Sequence, residues 1–157
     1  MKKILLVIVL LALQSTYSQI SVRAGLSDQS GLLGVEYKKS DVSFILGFLG
    51  QLEATTRYLN LSESRPVYSL GGAYYFSPES NSIYLGAGIM FNGCVQSVSS
   101  AKYGDAINWG NYYMLLGGYK FTLYSKFDMK TGLGIMQPSV SALKTTLAID
   151  LAVGYNF

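Results

Sequence analysis

The sequence predicts an all-β protein, an eight-stranded antiparallel up-and-down transmembrane β-barrel that follows a cleaved signal peptide. Three observations carry this expectation: an export leader, a mature chain poor in charge yet without a long apolar run, and eight segments in which large apolar residues occupy every second position. At 157 residues the chain has room for one domain.

The leader is MKKILLVIVLLALQSTYSQ. Lys2 and Lys3 form a positive n-region, Ile4 to Leu13 an apolar run, and Thr16 and Ser18 small residues at a cleavage site. That run is far short of the roughly 20 residues a spanning helix needs, so it reads as a signal peptide. Cleavage after Ser18 makes 1–18 the signal peptide and 19–157 the barrel domain, and no cysteine follows the cut to carry a lipid anchor. Without Lys2 and Lys3, ten of the 12 basic residues remain against nine acidic ones, a balance with no footprint for nucleic acid. The single cysteine, Cys94, cannot form an internal disulfide, so the fold must be held together in another way.

Charged residues are only 13% where about 25% is usual, with 17 glycines and 13 tyrosines. Low charge without an apolar helix is what a membrane barrel shows, because its apolar content is hidden in alternation. Period-2 alternation marks eight strands. Segments 20–26 and 33–38 set Ile20, Val22, Leu26 and Leu33, Val35, Tyr37 against small or charged residues. In 42–52, Val42, Phe44, Leu46, Phe48 and Leu52 share a face, but Ile45 and Leu49 make the other face apolar too. Segment 67–76 puts Tyr68, Leu70, Tyr74 and Phe76 on one side, and 82–92 alternates Ile83, Leu85, Ile89 and Phe91 with Tyr84, Gly86, Gly88 and Met90. Segment 109–121 offers Trp109, Tyr113, Leu115, Tyr119 and Phe121, and 127–136 sets Phe127, Met129, Leu133 and Ile135 against Asp128, Lys130 and two glycines. The eighth, 146–157, alternates Leu147, Ile149, Leu151, Val153, Tyr155 and Phe157 with small or polar residues.

Connections alternate in length. Those at 39–40, 77–81 and 122–125 are tight, whereas 53–65, 93–108 and 137–143 are longer and polar; 27–30 is the short member of the long set. Barrels of the outer membrane have short periplasmic turns and longer outside loops.

Arg23, Glu36, Lys38, Asp128, Lys130 and Asp150 all lie opposite the large apolar residues. An outward Arg or Lys at mid-depth in lipid costs about 2–4 kcal/mol, so these six are expected to form an ion network inside the lumen. An eight-stranded barrel is just wide enough for side chains to fill it. The rings form two expected interfacial girdles, with Tyr119, Phe121, Phe127 and Tyr155 beside short turns and Phe91, Trp109 and Tyr113 beside long loops.

With these features the chain resembles the small eight-stranded outer-membrane barrels of the OmpX and OmpA-barrel type, from about residue 20 to 157. Such barrels finish on an alternating strand with a terminal aromatic, which the barrel-assembly machinery recognises. Here Leu151, Val153, Tyr155 and Phe157 match that ending, and the resemblance implies that they serve as the assembly signal. A Gln directly after the cleavage site is also similar to secreted proteins of Bacteroidetes-type bacteria. The resemblance implies the outer membrane of a Gram-negative bacterium as the location and outer-membrane lipid as a partner.

No histidine is present, so the triad and His-dependent acyl-transfer chemistries lack their base, and the chain is expected to be non-enzymatic. Asp128 and Asp150 could in principle share acid/base work, but Lys130 and Arg23 make a structural network the better reading. GAGIMFNG sits within a strand with the wrong spacing for a dinucleotide loop, and Cys94 has no companion ligand, so no cofactor or metal is expected. Asn60-Leu61-Ser62 is a glycosylation sequon, meaningful only in a eukaryotic secretory setting. The expected function is a filled barrel whose loops 53–65 and 93–108 carry a surface contact or an envelope-structural role. The alternatives are a channel for small solutes or lipid ligands, and a soluble lipocalin-like binding barrel. The 13% charge disfavours the soluble form.

Overall fold

The computed structural model describes residues 18–77, 81–102 and 104–157; the expected leader, apart from Ser18, and the centre of the 77–81 turn lie outside them. Eight antiparallel strands follow in sequence order: β1 (Ser18–Ser27), β2 (Leu33–Lys39), β3 (Val42–Thr55), β4 (Ser62–Tyr75), β5 (Ser82–Ser100), β6 (Gly104–Tyr124), β7 (Phe127–Pro138) and β8 (Thr146–Asn156). Each pairs with the next, and β8 returns to β1 with Leu26 opposite Leu151 and Ser21 opposite Asn156. The barrel is closed, and closure removes the sheet edges that would otherwise expose unpaired backbone.

Alternation sorts the side chains. Val22, Phe44, Leu70, Leu85, Leu133 and Leu151 point outward, whereas Arg23, Glu36, Tyr75, Tyr84, Lys130 and Asp150 are almost fully buried in the lumen. Two-residue turns join β2 to β3 at Ser40-Asp41 and β6 to β7 at Ser125-Lys126. Ser40 takes φ 54°, the left-handed conformation that two-residue hairpins favour.

The third strand corrects the expected face for Leu52. Leu49 is an extra residue between the pairs Phe48–Tyr68 and Gly50–Val67, and Gly50 takes φ 122°, which glycine tolerates. The bulge shifts the parity, so Leu52 packs inward against the interior cluster instead of continuing the outward row of Val42 to Phe48. Ile45, on the second apolar face, is fully buried with Ala73, Tyr75 and Tyr84.

The long connections differ most from expectation. Pairing continues from Gly50–Val67 to Thr55–Ser62 and, after a bulge at Phe91–Gly93, from Cys94–Gly110 to Ser100–Gly104. Most of 53–65 and 93–108 is therefore ladder rather than loop. β5 has 19 residues and β6 has 21, against the roughly 9–11 that span a bilayer. The surplus projects about 30 Å along the strand direction.

Candidate functional site

The lumen is layered. At the short-turn end Arg23 reaches across from β1: its Nε donates to Glu36 on β2, and Nη1 donates to Asp128 on β7 at 2.6 Å. The other Asp128 oxygen accepts from Asn156 Nδ2 at 3.1 Å and lies 3.4 Å from Lys120 Nζ. Lys130 Nζ stands 3.7 Å from Asp150 and 3.9 Å from Glu36. Tyr75 donates its hydroxyl hydrogen to Glu36, and Tyr84 donates to Asp150. Lys38 Nζ lies 4.5 Å from the centre of the Tyr75 ring, a cation–π contact. All six expected lumen charges are thus buried around one axis.

The alternation also places Lys120 on this face, five positions before the Ser125-Lys126 turn, although the apolar positions of that strand dominate its pattern. Its addition changes the balance. Among the described residues four cations (Arg23, Lys38, Lys120, Lys130) and three anions (Glu36, Asp128, Asp150) are buried here. Each carboxylate meets at least two donors, which is what lets charges persist away from water.

The tyrosines need room. A Cβ on Gly132 would stand 2.5 Å from Tyr84 Oη, and one on Gly118 2.7 Å, so the bare backbone of β6 and β7 makes the slot for this ring. Gly132→Ala is expected to cost about 1–3 kcal/mol by overpacking, read as a lower urea midpoint in micelles.

Above the ions the connection 28–32 folds into the lumen as a stopper. Gln29 is 1% exposed, its Nε2 donates to the Gly72 carbonyl at 2.8 Å, and Ser69 Oγ donates to the Gln29 carbonyl at 2.6 Å. The backbone of Gly47 passes so close to the Ser30 carbonyl that a Cβ there would come within 2.4 Å. Asp28, at the outer rim, accepts the Ile149 N–H at 2.7 Å; burial nevertheless pushes its carboxyl above the ordinary range. Above the stopper the interior is apolar, with Val67, Met90, Met114, Leu116, Met136 and Ala148 as its core.

Past the barrel rim, the two long hairpins lean on each other. Trp109 Nε1 donates to Glu63 at 2.7 Å, and Arg65 stacks over the Trp109 ring at 5.1 Å. Arg57 N–H donates to Ser99 Oγ at 2.8 Å, and Leu59 N–H donates to Asp105. Trp109 therefore takes part in this hairpin contact. Beyond it, Tyr58, Leu59 and Leu61 are exposed at the tip of the β3–β4 hairpin. Cys94 is buried where the β5–β6 hairpin leaves the barrel. Trp109→Ala is expected to speed protease cleavage within 56–61 while the barrel stays resistant, as mass spectrometry of the fragments would reveal.

The rings near the short turns meet in pairs: Phe127 with Tyr155 at 5.1 Å, Tyr119 with Phe121 at 6.3 Å and Tyr74 with Phe76 at 5.3 Å. At the opposite end Phe91 and Tyr113 face outward with Phe48 and Tyr68, whose rings are 5.6 Å apart. The C-terminal ring of Phe157 stands edge-on to Tyr155 at 5.1 Å and is 75% exposed, and Leu151 and Val153 face outward farther back along β8. Comparison with known proteins adds no relative to this geometry: no protein-family model matches the chain, and no curated protein matches it significantly.

Proposed function

We propose that this protein is a non-enzymatic barrel of the outer membrane of a Gram-negative bacterium, exported with a cleaved leader and inserted by the barrel-assembly machinery. Its two joined hairpins serve as an outside contact surface on a closed scaffold. The observation that carries this reading is the inversion of the usual order: large apolar residues cover the wall, and the ions lie within. A soluble barrel would turn that exterior to water, where exposed apolar patches of this extent mark an interface with something else. The resemblance of the Leu151 to Phe157 ending to OmpX-type barrels supports the same reading.

The ion network and the Gln29 stopper together argue against a solute channel. Fractionation is the test: the mature protein should sediment with the outer membrane and migrate differently on SDS gels before and after boiling. Recovery as a soluble periplasmic protein without detergent would contradict the proposal. In planar bilayers the purified barrel is expected to give no steady single-channel conductance, whereas regular unitary steps would reinstate the channel alternative.

A further inference from the structure

The wall of the barrel is not level. β1 stops at Ser27 and β2 starts at Leu33, whereas β3 runs on to Thr55 and β8 already begins at Thr146. Two neighbouring short strands leave a notch on the outward face, and the inward fold of 28–32 deepens it. The resulting groove has a volume of about 420 Å³, lined by Leu26, Leu32, Leu49, Ile149 and Leu151 with Asp28 at its rim. That size lies within the ~300–1,000 Å³ of ligand pockets. Leu26 is 68% exposed and Leu32 is 53% exposed, so much of the lining is uncovered by protein.

We infer that this groove seats one hydrocarbon chain of a lipid from the surrounding leaflet. The inference rests on the membrane reading above. Three features select this occupant. The groove is continuous with the outward wall, since Leu151 pairs with Leu26 and Ile149 pairs with Leu133 on the face that meets lipid in that reading. Its backbone is already satisfied: Asp28 N–H donates to the Ile149 carbonyl, Leu32 N–H to the Phe48 carbonyl, both at 2.9 Å. A peptide strand would find no ladder to join there, whereas a hydrocarbon chain asks for none. Leu49, the extra residue of the β3 bulge, lines the groove and also packs against the interior cluster of Met90, Met114 and Met136. The groove thus has an apolar floor that the interior supports, although the methionines themselves do not line it. The polar rim at Asp28 lies toward the outer loops, which puts the lipid headgroup there and the chain below.

The test uses tryptophan quenching by a phosphatidylcholine with brominated chains. In a Trp109→Phe background, Leu49→Trp reports on the groove and Ile83→Trp on the open wall of β5. Each variant, folded in detergent micelles, is titrated with the brominated lipid. Quenching of Leu49→Trp should saturate near one lipid per barrel, while quenching of Ile83→Trp should only follow the lipid's mole fraction. Should Leu49→Trp fail to fold, Ile149→Trp reports from the opposite side of the groove. A groove signal that merely follows mole fraction overturns the inference and leaves the membrane reading intact. Absence of any quenching at Ile83→Trp means that chains do not wet the wall, and both fail together.

Discussion

Asp128→Ala is expected to destabilise the barrel by about 3–5 kcal/mol, the cost of leaving a buried charge without its partner. Asp128 is fully buried and joins Arg23, Lys120 and Asn156. Its loss leaves two buried anions, Glu36 and Asp150, against four buried cations among the described residues. Arg23→Met removes a group that bridges Glu36 and Asp128 yet brings the buried charges among the described residues to three against three, so its cost should be smaller. Asp150→Ala should also fall below Asp128→Ala, because Asp150 meets one cation, Lys130, which keeps Glu36 at 3.9 Å, whereas Asp128 serves both Arg23 and Lys120. Urea unfolding of the three variants in micelles gives the order directly. A second replacement, Lys120→Met on Asp128→Ala, should recover part of the loss, because two mutations in one network do not add. Equal costs for Asp128→Ala and Arg23→Met would mean that charge balance does not govern the interior.

Removing Phe157 is expected to lower the outer-membrane level of the protein sharply in cells while the purified variant still folds in micelles. The ring is 75% exposed and touches Tyr155, and the Phe157 N–H donates to the Ile20 carbonyl at 3.0 Å. Even complete burial of an aromatic ring is worth only about 1.5–3 kcal/mol, so an exposed one contributes little to the folded barrel. A large loss in cells would then lie on the assembly step, as the resemblance of this ending to other small barrels implies. Quantitative blotting of outer-membrane fractions for wild type, Phe157→Ser and the deletion checks it. Normal accumulation of the deletion would remove the assembly role from this residue.

Period-2 alternation made the barrel wall legible, because each strand of a closed barrel must sort its residues between the exterior and the lumen. The same rule places Arg23, Glu36 and Asp150 inside, where they are buried. It stops working where a ladder has water on both sides. Ser97 to Ser100 and Gly104 to Asn108 continue the ladder with small or polar residues at most positions of both faces, so their sequence carries no face signal and reads as a loop. A bulge defeats it differently: Leu52 obeys the period and still ends on the other face, because Leu49 adds one residue. Gln29 offered no pattern at all. A single glutamine in a short connection acquires meaning only once Gly72 and Ser69 converge on it. The partners of the ions, Tyr75, Tyr84 and Asn156, depend on cross-lumen distances that no linear period encodes.

The central claim is that the apolar wall crosses a membrane with the joined hairpins outside and the two-residue turns inside. Labelling of intact cells with a membrane-impermeant maleimide tests it most directly. In a Cys94→Ser background, Leu59→Cys marks the exposed hairpin tip and Ser125→Cys the exposed β6–β7 turn. The account predicts that Leu59→Cys is labelled in intact cells, and Ser125→Cys only after the outer membrane is permeabilised. Labelling of Ser125→Cys in intact cells with Leu59→Cys protected, or of both alike, would contradict it.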